Sequence, residues 1–494
     1  MKSTDNKKFP LEVSLIDRYK ENPEDVFKTS HQKVKKSREK GFESFNNLGL
    51  PTTKKEQWRS TNLSKSYNTD FVIGDNKPDF DKEINEIFDC TIHGFSTDVY
   101  ALLNGWYYSP DNEKLEVLDD GIIVGSIIKA QEEYPELFDE YYDETSQNNN
   151  HGLKAINSAI YTDGLFLYVP DNIESERTIQ LVKMVNRESN IMVNTRNLII
   201  LGKNSKLSFL HCDDSINQHT GFLNTNTEIF IGENASLILY KLQNINNQTS
   251  LINSTTIKQK SDSNLNVILL SFNGGTLRNE FHIDLTGECA NADISAMYLM
   301  DNEQHVDNQV KVMHSAPNCT SSELFKGVLD DEASAVFNGY IYVARDSQKT
   351  VAFQKNANIL MTTDATIDTM PFLEIYADDV KCSHGATVGQ IDNDALFYLM
   401  QRGIPEKDAK LLLIYAFIAE VTSKIDILPL RISIDDMVKK RLRGDLYICD
   451  KCVLHCSKPE KLVEFDLDMS KIQTMGFKIN TIRNDFPILS TKVN

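Results

Sequence analysis

The chain has 494 residues, of which 40% are hydrophobic and 25% charged, and 71 acidic against 52 basic side chains give a net charge of −19. That length exceeds what one ordinary core holds, so two or three domains are expected. No apolar run reaches the roughly 18 residues of a membrane crossing, and the acidic balance repels a phosphate backbone, which argues against membrane insertion and against nucleic acid as a partner.

The amino terminus lacks the apolar stretch and small-residue cleavage site of a secretory signal, so the cytoplasm is the expected compartment. Residues 10 to 45 read as helix, and the basic run from Lys33 to Lys40, KVKKSREK, as its solvated face. A turn follows at Leu50 and Pro51. A second helical pattern runs from Ala130 to Tyr142 with Pro135 in its first turn, and the polar run Asp143 to His151 reads as a loop that closes a first domain at 1–150.

From about Ala155 to Gly389 the pattern changes to short alternating or β-branched runs punctuated by Gly, Asn, Asp and Ser. NSKLSFLH at Asn204, NASLILYK at Asn234 and NLNVILLS at Asn264 recur, which places Leu207, Leu237 and Val267 in register. A fixed period of this size marks repeated units that bury their apolar faces by stacking, and strands with turns at Asn and Gly suggest a β-helix over 151–390, with a plain sandwich as the alternative.

Helix returns after Gly389. Asp392 or Asn393 caps a short helix through Met400, Arg402-Gly403-Ile404 turns, and the helix after Pro405 places Ala409, Leu412, Leu413, Ala416, Phe417 and Val421 on one stripe. A last helix from Ile434 to Arg443 carries Met437, Val438 and Leu442. This carboxy-terminal helical region spans 391–446, and a cysteine-containing tail occupies 447–494.

The only Gly-Lys pair is Gly202-Lys203, so no P-loop is present, and the signatures of zinc proteases, serine hydrolases and dinucleotide enzymes are absent too. Eight cysteines stand at 90, 212, 289, 319, 382, 449, 452 and 456. Most of the first four read as buried small hydrophobes. Cys382-Ser383-His384 differs, because residues two apart on a strand share a face and thiolate and imidazole suit iron or zinc. Two ligands are too few to hold a cluster, so a partner must supply the rest. Lys381 would lower the thiol pKa, whereas Asp378 and Asp379 would raise it. In the tail, Cys449, Cys452 and Cys456 with His455 form a candidate metal set.

The run from Phe372 to Val421, FLEIYADDVKCSHGATVGQIDNDALFYLMQRGIPEKDAKLLLIYAFIAEV, resembles the signature of the SufB/SufD family of the SUF iron-sulfur assembly scaffold. The stretch from Val336 to Pro371, HVDNQV at His305 and NCTSSELFKGVLDD at Asn318 extend the resemblance, as do AIYTDGLFLYVPDN at Ala159 and TRNLIILG at Thr195. LPTTKKEQWRSTNL from Leu50 and ALLNGWYYSP from Ala101 resemble the SufD-type amino-terminal region rather than the SufB type. The resemblance implies a mainly β protein, a right-handed parallel β-helix core flanked by amino- and carboxy-terminal helical domains. It implies a scaffold subunit without its own ATPase or desulfurase residues, paired through the β-helix with a SufB-type subunit and through the carboxy-terminal helices with a SufC-type ATPase. SufS/SufE sulfur donors are further expected partners. Cys382 and His384 would ligate or support a transient iron-sulfur cluster shared with the partner subunit, and flavin is left open. Glu374, Asp378, Asp379 and Lys381 match the motif without a defined role. The stretch from Phe477 to Asn494 resembles the opening helix of a SufS-type cysteine desulfurase, which would make the chain the front part of a fusion. A SufB-like cluster-bearing scaffold and a β-helix carbohydrate-active enzyme are the alternatives.

Overall fold

The computed structural model describes residues 8–21, 29, 31–73, 77, 95–108, 114–145, 151–186, 189–215 and 219–443. Cys90, the candidate tail ligands Cys449, Cys452, His455 and Cys456, and the stretch from 477 to 494 lie outside the described residues.

The centre is a parallel β-solenoid of about 7 turns. Each turn contributes one strand to each of two sheets. The first sheet runs in spatial order from Thr366–Ile375 through Ser334–Val343, His305–His314, Thr276–Leu285, Ser250–Gln259, Gly221–Ile231 and Ile191–Leu201 to Leu165–Val169. The second runs from Lys381–Gly389 through Val351–Leu360, Thr320–Leu329, Asn291–Met300, Asn264–Asn273, Ser236–Asn244 and Lys206–Ser215 to Glu174–Val185. At the amino-terminal end the pattern is interrupted: Ile123–Ser126 pairs antiparallel with Leu165–Val169, and Trp106–Tyr107 pairs antiparallel with Asp98–Leu103.

Register runs through the second sheet as Leu207, Leu237, Leu265, Ala292, Ser321, Ala352 and Cys382, at spacings of 30, 28, 27, 29, 31 and 30 residues. The repeat expected from Leu207 and Leu237 is therefore present, but the third copy is displaced, since Val267 pairs with Leu239 and Leu265 takes the predicted place. A slip of two residues returns every side chain to the same face, so the apolar alternation cannot detect it. Each coil is closed at one corner by a left-handed residue, in turn Asn172, Asn204, Asn234, Asp262, Cys289, Asn318 and Lys349, with φ between 54° and 63°. The N–H of each corner residue from Asn172 to Lys349 bonds a carbonyl of the next corner, from Asn172 to Lys203 O at 2.7 Å through to Lys349 to Asp379 O at 2.6 Å. Asn and Asp tolerate this conformation best, which explains the punctuation seen in the sequence. Cys289 occupies such a corner and is exposed, while Cys212 and Cys319 are buried as expected.

Helices cover the two outer faces. The predicted amino-terminal helix is two, Pro10–Glu21 and Gln32–Leu48. Of the basic run on the second, Arg38 is buried and donates to Ala159 O at 3.0 Å and Tyr161 O at 3.2 Å. The pattern from Ala130 to Tyr142 is split into Ile127–Glu133 and Pro135–Tyr141, because Pro135 lacks the N–H to continue one helix and instead opens the next. Residues read as the start of the strand-rich region form the helix Gly152–Ile160, capped by His151 and buried at every position. Its nine residues span only two and a half turns, too short a window for the helical period to stand out, and its polar stripe of Lys154, Asn157 and Ser158 is buried with the rest. These elements pack on Met192, Phe222, Ile252, Leu198 and Ile200 of the first sheet.

On the second sheet, Glu406–Thr422 and Leu428–Arg443 bury Ile414, Ile418, Val421, Ile434, Met437 and Val438 against Leu210, Tyr240, Ile268, Leu270, Met297 and Leu324. The predicted stripe of the first of these helices is rotated. Ala409 and Val421 are buried, but Ile414 and Ile418 face the sheet, while Leu412 is 39% exposed. Apolar residues almost encircle this helix, so its pattern offers two stripes and packing selects one. Arg441 clamps Asp301 through both terminal nitrogens at 2.5 and 2.7 Å, and Lys424 holds Asp293 at 2.9 Å. Among the described residues no helix is long and apolar enough to cross a membrane.

Candidate functional site

Cys382 and His384 stand on Lys381–Gly389, the last strand of the second sheet, which among the described residues is bonded along one edge only, to Val351–Leu360. Both project toward the inside of the solenoid, since the stack below Cys382 is Ala352, Ser321, Ala292 and Leu265, and Leu265 and Ala292 belong to the central core. Among the described residues no coil follows, so side chains that would be buried lower down are open here. His384 is exposed, and Cys382 is half-buried against Ile341, Val343, Ala352 and Ala377. Burial is the main influence on the Cys382 thiol and pushes its pKa up, with a smaller opposite effect from the Ala352 backbone. The thiol is therefore protonated at neutral pH and becomes a good ligand only when an incoming metal displaces its proton.

The other residues of the motif are spread around the rim. Glu374 lies on Thr366–Ile375 of the opposite sheet and faces outward, where it accepts hydrogen bonds from Tyr340 and, at 2.6 Å, from Tyr376. Those two hydroxyls hold its carboxyl below the usual range. Asp379 builds the last corner, its N–H bonding Gln348 Oε1 at 2.9 Å. Strand alternation turns Glu374 away from the interior that Cys382 faces. Among the described residues no group of three or more His, Cys, Asp or Glu side chains is arranged to hold a metal ion. Cys382 and His384 remain a pair.

Two residues beneath the pair were missed. Walking down the coils from His384, the register passes through Gln354 and Glu323 before reaching Ile294, Val267 and Leu239. Both polar residues are buried, and Gln354 Nε2 donates to Glu323 Oε2 at 2.9 Å. Oε1 of each has no hydrogen-bond partner among the described residues. Burial pushes the Glu323 carboxyl up to about 8, so it is neutral at pH 7. Space for Gln354 exists because residue 339 on the facing sheet is Gly; a Cβ there would lie 2.1 Å from Gln354 Nε2. The interior thus changes from apolar to polar over the last two coils, with Asn356 and Asn358 bonded to each other at 2.7 Å and Tyr298 donating to Asn358 at 2.5 Å. Stepping back along the repeat from His384 would have found Gln354 and Glu323 in the sequence.

This architecture coincides with a family. The model of the SUF system FeS cluster assembly SufBD core domain matches residues 184–417, and that of the SufBD protein N-terminal region matches 10–181. This chain belongs to the SufBD family. SufD of Escherichia coli is 30% identical over 397 residues, covering 76% of this chain and 86% of that protein. SufD of Bacillus subtilis is 26% identical over 433 residues, covering 84% and 96%. A SufBD family iron-sulfur cluster assembly protein of Synechocystis is 29% identical over 393 residues, covering 78% and 86%. The chain is a SufD-type subunit of the SUF iron-sulfur cluster assembly system.

Proposed function

We propose that this SufD-type chain supplies half of a shared assembly site, with Cys382 and His384 offered to a nascent iron-sulfur cluster that a SufB-type subunit completes in the cytoplasm. The observation that carries the reading is the position of the pair: inward-facing residues of an uncovered last coil, side by side on one face, with no third ligand in the chain's described part. Thr366–Ile375 and Lys381–Gly389 each leave one edge of backbone donors and acceptors unpaired. Such an edge accepts strands of another chain. Around it Phe353, Phe372, Tyr376 and Val388 are 49, 53, 54 and 46% exposed. An apolar rim beside open strand edges suits a SufB-type partner joined through the solenoid. The cluster is cargo, and delivery of its sulfur belongs to SufS/SufE-type donors.

A second surface suits a SufC-type ATPase. Asn393–Gln401 has no buried residue, and Phe397, Met400 and Leu412 are 62, 41 and 39% exposed. Because the inner face of Glu406–Thr422 is needed to cover the second sheet, point substitutions test this docking better than deletion. Phe397→Asp with Leu412→Asp should abolish ATPase co-purification while leaving the melting temperature unchanged; retained ATPase would remove this assignment. The central test is anaerobic reconstitution of the assembled complex with Cys382→Ala and His384→Ala. Iron and sulfide per complex should fall with subunit stoichiometry intact, and undiminished content would sink the direct role.

A further inference from the structure

Away from the rim, the segment Glu56 to Thr61 crosses the outer face of the first sheet and is fastened at Trp58, Ser60 and Thr61. Ser60 Oγ donates to Asp368 at 2.6 Å, Thr61 Oγ1 donates to Asp307 at 2.5 Å, and the Trp58 ring lies 3.8 Å from the Arg278 guanidinium. The strap does not lie flat. It leaves two adjoining clefts of about 280 and 260 Å³ that share Gln57, Gln309 and Asn338.

The larger cleft has an uneven charge balance. Its lining includes Lys154, Arg278 and Lys311 against a single acid, Glu280. Glu280 is already committed: it takes Arg278 Nε at 2.8 Å, His151 Nε2 at 2.8 Å and Ser254 Oγ at 2.7 Å. The two lysines lack such partners. Lys154, on the enclosed helix Gly152–Ile160, is 7% exposed, and its ammonium makes one long hydrogen bond among the described residues, 3.4 Å to Thr256 Oγ1. Lys311 makes no ion pair among the described residues and stands 5.1 Å from the Tyr340 ring centroid. Burial draws the Lys154 pKa down, only partly opposed by Glu280 and Glu228. A buried ammonium with no carboxylate in direct contact among the described residues is costly unless something compensates it.

Neutral donors complete the lining: the amides of Gln57, Gln309 and Asn338, and the hydroxyl of Thr256. Two underused cations among amide and hydroxyl groups is the composition that binds oxyanions, and a chain of net charge −19 does not otherwise attract them. We propose that this cleft is a binding site for a small anion bearing phosphate- or carboxylate-type oxygens, held by Lys154 from below and Lys311 from the side. The site stands apart from the rim and does not depend on the reading of Cys382 and His384.

The test is calorimetric titration of the full chain with inorganic pyrophosphate in one arm and citrate in the other. Saturable binding of at least one, at one per chain, is expected, and the tighter arm identifies the oxygen type. Losing a charge-assisted contact should weaken it about tenfold or more in Lys154→Met and in Lys311→Ala, and leave it unchanged in Lys206→Ala, an exposed lysine on the other sheet. The Lys311→Ala variant alters only the cleft wall and keeps the test decisive if Lys154→Met fails to fold. Absence of saturable binding of both probes at millimolar concentration, or binding equal in all variants, would overturn the proposal.

Discussion

The early and late coils of the solenoid are built from the same repeat and finished in opposite ways. Between Ile191 and Asn273 both outer faces carry helices, and antiparallel strands at the amino-terminal end stop the parallel pattern. Around Thr366–Ile375 and Lys381–Gly389 most side chains are exposed or half-buried and both edges are open. The contrast separates two duties. The covered coils supply burial, while the last coil leaves Cys382 half-buried and His384 exposed, as the proposed shared site requires.

If that division holds, substitutions in the covered part should cost stability and those at the rim should not. The largest effect is expected at Arg196, fully buried between the solenoid and the amino-terminal helices. It pairs with Glu228 at 2.6 Å and Asp143 at 2.8 Å and lies 4.3 Å from the Tyr142 ring centroid. Arg196→Met strands the Glu228 carboxylate, so urea unfolding should show a loss of about 3–5 kcal/mol. His384→Ala should change stability by less than about 0.5 kcal/mol; similar losses for the two would erase the comparison.

A second test uses acid. Burial lowers His211, His282 and His314 to about 4 from 6.5. The unfolded chain therefore takes up these protons first, and stability is lost as pH falls from about 6.5 toward 4. Each histidine adds up to about 1.4 kcal/mol per pH unit to that slope. Denaturant midpoints measured across this range should fall steeply, and replacing His211 with Gln should make the fall shallower.

A third test, in the alkaline direction, sharpens the boundary between the two regions. Glu323 titrates near 8 when folded against 4.5 as its ordinary value, so the unfolded state releases its proton first and stability declines as pH rises from 4.5 through 8. Glu323→Gln removes this penalty. Its melting temperature should exceed that of the unaltered chain at pH 8 and converge with it at pH 5; a constant difference would place the proton elsewhere.

What could be read from the sequence follows the same division. Leu207 and Leu237 revealed the coil because their spacing and corner residues Asn204 and Asn234 repeat. The shorter third coil escaped because Leu265 and Val267 are equivalent in the alternating pattern. Gly152–Ile160 went unseen because nine residues are too few for the period to show, and the inner face of Glu406–Thr422 because of an excess of apolar residues. Cys382 and His384 were legible as a pair, and their two-residue spacing fixed their common face. The direction of the Cys382 shift was not, because the sequence shows Lys381, Asp378 and Asp379 but not the packing against Ala352 and Ala377. Glu323 and Gln354 lie 61 and 30 residues before His384, and only register brings them under it.

The strap that ties Thr61 to Asp307, with its counterpart where Lys424 meets Asp293, has a consequence for folding. A stack of coils touching only their neighbours can melt one unit at a time from either end. Stitches joining residues 246 and 131 positions apart cross many coils, so the middle must open as one block. The strand Lys381–Gly389, held along a single edge, lies at the margin of that block. In hydrogen exchange its amides would belong to the fastest class, so the rim rearranges at little cost while the rest stays folded.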